Sequence, residues 1–166
     1  MHPFYERKWL VNDPQIVDKH HPTMISQAYL MIKEGWSVRV RRTLLVGSSR
    51  EESPSHNTLC VKGPRVGFSR PQYHWGIDDS RVAIQLYRTA DWKIVKARHQ
   101  IIENGHTWDV DVFYHDNEGL IIAECEVDDP YVEVLCPKWC GVEVSEDIRY
   151  CNEQLAMNPY KNWRAV

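Results

Sequence analysis

The chain has 166 residues, 43% of them hydrophobic, and a formal net charge of -3 from 20 Lys and Arg against 23 Asp and Glu. This length predicts a single domain over residues 1–166 with a core that needs no disulfide or metal staple. The nearly balanced charge gives no support to a long DNA-binding surface. No apolar run reaches the length of a membrane span, and the charged opening MHPFYERKWL is unlike a signal peptide. We therefore expect a cytoplasmic protein with neither a DNA nor a membrane partner.

Apolar and charged residues alternate along several short segments, which is the pattern of half-buried strands. In chain order, the predicted strands are Tyr5–Val11, Ser37–Thr43, Thr58–Lys62, Phe68–Trp75, Trp92–Ile101, His106–Tyr114 and Leu120–Val127. Breaks rich in Ser, Pro and Gly separate some of them, at Gly47–Asn57, Gly63–Gly67 and Asp128–Pro137. Helices are predicted at Asp78–Leu86, with Asp78 or Asp79 as the N-cap, and at Glu146–Met157. The chain is thus mainly β, of the α+β class.

Five cysteines are spread unevenly along the chain, at Cys60, Cys125, Cys136, Cys140 and Cys151. The close pair lies in the segment CPKWC, and no second Cys or His pair follows at the spacing that a four-ligand zinc site needs. Reduced, structural thiols are therefore the favoured interpretation, and they fit a cytoplasmic protein.

Charged residues recur at every second position of the predicted strands, and residues two apart in a strand share a face. These pairs are Glu6 and Lys8, Arg39 and Arg41, Lys96 and Arg98, Asp109 and Asp111, and Glu124 and Glu126. In a single strand, such alternation is typical of an antiparallel sheet with one buried apolar face and one solvent-exposed polar face. The later pairs, however, are each wholly basic or wholly acidic, which gains nothing on a plain solvated face. Carboxylates coordinate hard divalent ions, whereas Arg and Lys bind phosphate oxygens. A closed barrel would therefore bring both kinds of group around a metal-bound polyphosphate.

Ordered segments resemble the CYTH superfamily, the triphosphate tunnel metalloenzymes. YERKWLV is similar to the family's opening Glu-x-Glu-x-Lys strand, and QAYL followed by VRVR is similar to its second block. Lys62-Gly63 resembles the lysine of its third strand. Later matches are KAR followed by GHTWDVDVF, the segment EGLIIAECEV, and the closing IRYCNEQLAMNPY. Each match alone is weak, but the ordered set spans nearly the whole chain, which is therefore identified as a member of the family.

The resemblance implies an eight-stranded antiparallel β-barrel tunnel with short peripheral helices. It implies that the triphosphate is held by cations at Lys8, Arg39, Arg41, Lys62, Arg70, Lys96 and Arg98. It implies that Mg²⁺ or Mn²⁺ is held by carboxylates at Glu6, Asp111, Glu124 and Glu126, with Asp109 as a weaker candidate. Among these residues, Lys8, Glu124 and Glu126 are the catalytic candidates. Tyr150 and Asn152 would line one mouth of the tunnel.

Three acidic positions of the family pattern are replaced in this chain. The first Glu of the opening motif falls at Phe4, and a later carboxylate pair falls at Gln72 and His74. Pro71 removes a ladder donor, which predicts a sheet edge or a bulge. With fewer carboxylates, the tunnel is expected to bind metal more weakly or to hold one ion instead of two. His74 is a candidate replacement ligand or general base, although a lone histidine is more often packed or hydrogen-bonded.

Two functions follow from the resemblance and its departures. The first is divalent-metal-dependent hydrolysis of a triphosphate, either inorganic tripolyphosphate or a nucleoside triphosphate such as ATP, by a monomer or homodimer. The second is a non-catalytic protein that binds a polyphosphate or nucleotide after losing metal-binding carboxylates. Cyclase or RNA-end chemistry is a minor alternative, and an interaction module with a solvated sheet is the interpretation left if the barrel is not closed.

Overall fold

A computed structural model gives the fold and describes residues 5–45, 56–64 and 70–164. Within these residues, nine strands form one sheet: β1 (Tyr5–Val11), β2 (Thr23–Lys33), β3 (Trp36–Leu45), β4 (His56–Lys62), β5 (Gln72–Gly76), β6 (Trp92–Glu103), β7 (His106–Phe113), β8 (Ile121–Val127) and β9 (Cys140–Glu143). The α-helices are α1 (Ser80–Thr89) and α2 (Asn152–Met157), and 3-10 segments lie at Pro14–Lys19, His115–Asn117, Ile148–Tyr150 and Tyr160–Asn162. None of the helices in the described ranges is long and apolar enough to cross a membrane.

The strands follow the order β5-β4-β3-β2-β6-β7-β8-β1-β9, and all neighbours are antiparallel. The mainly β prediction is confirmed. The closed eight-stranded barrel is corrected, because the described part of the sheet has nine strands with unpaired edges at β5 and β9. Both edge strands are short, Pro71 precedes β5, and the register of β1 shifts beside β9. Short, interrupted edge strands of this kind leave few backbone groups that could hydrogen-bond to an additional strand.

The predicted strands all correspond to observed ones, with differences at their ends. β4 begins at His56, inside the predicted loop, and the part of the fourth predicted strand that precedes Arg70 lies outside the described residues. Phe4 lies outside them too. The alternation misses β2, whose sequence TMISQAYLMIK carries a charge only at its end, and β9, which has four residues. Pro71 does precede an edge strand, as predicted.

Aspartate side chains cap α1 and the 3-10 segment Ile148–Tyr150. The Asp79 carboxylate accepts a hydrogen bond from the backbone N–H of Arg81 at 2.9 Å, so α1 begins at Ser80 as predicted. The predicted C-terminal helix is instead split in two. Asp147 caps the 3-10 segment Ile148–Tyr150, and the extended backbone of Cys151 separates that segment from α2.

The two faces of the sheet differ in what they carry. We name the face that bears Lys8, Arg39 and Lys96 the inner face, and the opposite one the outer face. Two apolar clusters cover the outer face, and their buried members are Trp9, Ile101, Trp108, Val110, Ala123, Cys125, Val127, Val134 and Trp139 in one, and Ala28, Val40, Ala83 and Ala90, beneath α1, in the other. The outer face therefore holds most of the apolar core.

One end of the inner face is also apolar, because α2 packs against it. Leu155 of α2 is fully buried and lies in a cluster with Ile94, Phe113, Leu120 and Ile122. Asn117 holds the C-terminal segment in place through two hydrogen bonds. Its Nδ2 donates to the Leu155 carbonyl at 3.2 Å, and its Oδ1 accepts from the backbone N–H of Tyr160 at 2.8 Å. The rest of the inner face is left to polar and charged side chains.

Candidate anion-binding site

The strand register gathers the predicted charged residues on the inner face. Directly paired residues of antiparallel strands point to the same side of the sheet. Glu6 pairs with Glu126 and Lys8 with Glu124, and the same alternation runs through every ladder to β5. The predicted site residues on this face are Glu6, Lys8, Arg39, Arg41, Lys62, His74, Lys96, Arg98, Asp109, Asp111, Glu124 and Glu126.

The sheet curves so that distant strands share one interior space. β4 and β1 are six strands apart in the sheet order, which would separate Lys62 from Glu6 by roughly 29 Å if the sheet were flat. Nevertheless, the charge of Glu6 acts on the pKa of Lys62, and the charges of Asp111 and Glu124 act on the pKa of Arg41. The inner face therefore curves around one common space, which we name the cavity, even though its two edge strands are not paired in the described part of the sheet.

Part of the inner face is a connected set of ion pairs, which we name the paired network. The Lys8 ammonium contacts Glu6 and Glu124, and the Lys96 ammonium contacts Asp111. The Arg98 guanidinium joins the carboxylates, at 2.7 Å from both oxygens of Asp111, 2.6 Å from Asp109 and 2.5 Å from Glu124. The network comprises Glu6, Lys8, Lys96, Arg98, Asp109, Asp111 and Glu124.

Burial and charge act against each other in this network. Burial alone would raise the pKa of Glu124, but Lys8, Lys96 and Arg98 hold it well below its ordinary value. The pKa of Lys8 is raised, because Glu124 and Glu6 outweigh its burial. Burial instead lowers the pKa of Lys96, whose side chain is 1% exposed, in spite of Asp111. Each buried charge therefore depends on its partner being present.

A second set of cations lies on β3 and β4, and we name Arg39, Arg41 and Lys62 the unpaired cations. None of the three forms an ion pair with a carboxylate among the described residues. The buried Nε atoms of Arg39 and Arg41 also lack a hydrogen-bond partner within the described ranges. Burial, then Arg98 and Arg39, lowers the pKa of Arg41, and burial and Arg39 lower that of Lys62. Such a cluster of like charges offers hydrogen-bond donors and positive charge to an anionic ligand.

Arg70 and Tyr150 belong to neither set, although the charge of Arg70 also lowers the pKa of Lys62. Arg70 precedes β5, and its Nη1 donates to both carboxylate oxygens of Glu153 at 2.9 and 3.1 Å. Ser37 also donates its hydroxyl to Glu153, which reaches the inner face from α2. Strand alternation gives no signal for Glu153, because a helix supplies it as a single residue. Tyr150 packs edge-on against Trp163, with 5.2 Å between ring centroids, beside the cluster that α2 covers.

The carboxylates supply the oxygen donors that Mg²⁺ and Mn²⁺ prefer. In the described ranges, no three His, Cys, Asp or Glu side chains are arranged to hold an ion, because lysine and arginine already occupy Asp111 and Glu124. Glu6 and Glu126 are solvent-exposed and face each other across β1 and β8. The donor chemistry thus fits a hard divalent ion, although Lys8 also contacts Glu6.

The substituted positions of β5 stand next to the unpaired cations. Gln72 pairs with Lys62, and His74 pairs with Cys60, whose other neighbour is Arg39. The His74 Nε2 atom lies 3.7 Å from the Cys60 Sγ atom. Replacement of carboxylates at these positions therefore makes this side of the inner face more positive.

Comparison with known proteins gives relatives over the whole chain, although no protein-family model matches it. The chain is 34% identical over 160 residues to an inorganic triphosphatase of Acetivibrio thermocellus, covering 96% of both chains. It is 30% identical over 95 residues to an inorganic triphosphatase of Nitrosomonas europaea, covering 55% of this chain and 63% of the other. The crystal structure of the inorganic triphosphatase NE1496 has the same fold, with a TM-score of 0.66 and 24% identity, covering 95% of this chain and 96% of that one.

Proposed function

The chain belongs to the CYTH superfamily of triphosphate tunnel metalloenzymes, and we propose that it hydrolyses a triphosphate compound with the help of a divalent metal ion. Inorganic tripolyphosphate is the first substrate candidate and ATP the second. The observation that carries the proposal is the position of the unpaired cations, which share one cavity with the carboxylates of the paired network. The relatives named inorganic triphosphatase support the same reaction class.

Binding of the phosphate chain is assigned to the unpaired cations. A guanidinium presents parallel N–H donors that match phosphate oxygens, and an ammonium adds a compact charge. The free Nε atoms of Arg39 and Arg41 each gain a partner when an anion binds. Mutual repulsion among the cations falls at the same time, so binding is favoured by both hydrogen bonding and charge.

Chemistry is assigned to the side of the cavity that carries the paired network. A bound Mg²⁺ or Mn²⁺ would supply Lewis-acid polarisation of phosphate oxygens there, held by Glu6, Glu126, Asp111 and Glu124, with Asp109 as a weaker candidate. Arg98 orients Asp111 and Glu124 through the hydrogen bonds of its guanidinium. Lys8 and Arg98 are placed to offset negative charge that develops on phosphoryl oxygens.

The test is a measurement of phosphate release from tripolyphosphate and from ATP, with and without Mg²⁺ or Mn²⁺. We expect turnover that requires metal and that falls by about tenfold or more in Glu126→Gln, since the exposed pair loses a ligand. Glu146→Gln is the matched control, because Glu146 is also an exposed glutamate but lies away from the inner face.

Two outcomes would count against hydrolysis. Tight binding of tripolyphosphate without phosphate release under any metal condition would favour the non-catalytic binding protein, which the replaced carboxylates at Gln72 and His74 suggest. Absence of both binding and turnover would show that the inner face is not a polyphosphate site.

A further inference from the structure

We propose that His74 takes up a proton when the polyphosphate binds and so becomes a fourth cation of the site, an inference that rests on the proposed function. His74 lies on the inner face of the edge strand β5. It is separated from Arg39 only by Cys60, since the register aligns these three residues across neighbouring strands. A polyphosphate held by the unpaired cations therefore lies within reach of the imidazole ring.

The contacts of the ring leave one nitrogen available. Nε2 lies 3.7 Å from the Sγ atom of buried Cys60, which is an uncharged and weak hydrogen-bond partner. Nδ1 has no hydrogen-bond partner in the part of the chain that the structure describes. His74 is itself exposed, so protons from solvent reach the ring directly.

Among the described residues, the charges that act on His74 are all positive. They come from Arg39 and Arg41 on β3 and from Lys62 on β4, while Gln72 on its own strand and the Cys60 thiol are neutral. Partial desolvation and these three cations lower the pKa of His74. The ring is therefore neutral at pH 7 in the free protein.

A bound polyanion reverses the sign of this environment. The phosphate oxygens neutralise the unpaired cations and place negative charge beside the ring, which raises the pKa of His74 in the complex. The proton comes from solvent and adds to the unprotonated ring nitrogen, which leaves an imidazolium with two N–H groups that can donate to a phosphate oxygen. The imidazole should therefore increase the affinity for the polyphosphate most at a pH below the pKa of His74 in the free protein. This increase is lost as the pH rises through the higher pKa of His74 in the complex.

The experiment is isothermal titration calorimetry of tripolyphosphate, without metal, at pH 7.5 in two buffers of different ionisation enthalpy. The change of binding heat between the buffers counts the protons taken up. We expect the wild type to take up about half to one proton more than His74→Asn. His115→Asn is the matched control, because His115 is also an exposed histidine but lies in the 3-10 segment His115–Asn117, outside β3, β4 and β5, and it should behave as the wild type.

The outcomes separate this inference from the function on which it rests. Absence of binding heat in the wild type would refute both. Binding with equal proton uptake in the wild type and in His74→Asn would overturn the role of His74 alone. If His74→Asn does not fold, nuclear magnetic resonance of the wild type provides the test. The ring signals of His74 should shift toward the chemical shifts of an imidazolium when tripolyphosphate is added. Unchanged signals would contradict the proposal.

Discussion

Two kinds of cation share the inner face, and the difference between them comes from strand order. Period-two alternation predicts correctly that Arg41 and Lys96 point to the same side of the sheet as the other charged residues. It cannot predict that Lys96 contacts Asp111, which depends on the pairing of β6 with β7, or that Arg41 lies beside uncharged Gln27. Sequence therefore predicts which charged residues share the inner face, whereas the division into paired and unpaired cations required the fold.

Replacement of one cation in the paired network should mainly lower protein stability, whereas replacement of one unpaired cation should mainly weaken tripolyphosphate binding. Lys96→Met leaves buried Asp111 with only Arg98, so we expect the free energy of unfolding to fall by about 3 kcal/mol. Arg41→Met removes a cation that has no ion-pair partner among the described residues, so the free energy of unfolding should change by less than about 0.5 kcal/mol. The same change should raise the dissociation constant for tripolyphosphate by about tenfold or more.

Urea unfolding measures the first effect and calorimetric titration the second. If Arg41→Met destabilised the protein as much as Lys96→Met, Arg41 would have to be part of a stabilising ion pair, and the assignment of the unpaired cations would be wrong.

At the level of elements, the alternating strands were predictable and the C-terminal segment was only partly so. A helix as short as α2 is not stable by itself, so its position depends on tertiary contacts. Leu155 buries its side chain against strands that lie far away in sequence, and the Glu153 carboxylate holds Arg70. The resemblance between IRYCNEQLAMNPY and the family's closing block marks this segment, but composition alone does not show that it covers one end of the inner face.

Truncation of Leu155 tests how firmly α2 closes that end. Leu155→Ala should lower the free energy of unfolding by about 2–5 kcal/mol, because it leaves a cavity among fully buried side chains. Ile148→Ala, in the neighbouring 3-10 segment, is the control; Ile148 is 68% exposed, and its truncation should change stability by about 0.5 kcal/mol or less. Equal and small losses, measured by urea unfolding, would show that α2 is not packed as described.

For the molecule as a whole, curvature matters more than closure. Pro71 predicts the edge at β5, but the sequence pattern does not show that β9 forms the other edge. For this reason the predicted closed barrel differs from the open nine-stranded sheet of the described residues. The curved sheet still brings the unpaired cations of β3 and β4 within electrostatic reach of carboxylates on β1, β7 and β8. A ligand that contacts both sides would therefore connect strands that no hydrogen-bond ladder joins directly.

Such a bridging ligand should stabilise the entire fold. At a free concentration about 100 times its dissociation constant, tripolyphosphate should add about 2.7 kcal/mol, which corresponds to a rise in Tm of about 5–10 °C for a chain of this size. Methionine replacement of all the unpaired cations should abolish the rise. The control triple variant removes the same charge from exposed lysines, Lys19, Lys33 and Lys138. It should retain the rise at equal ionic strength; equal losses in both triples would mean that net charge, and not this cavity, attracts the polyanion.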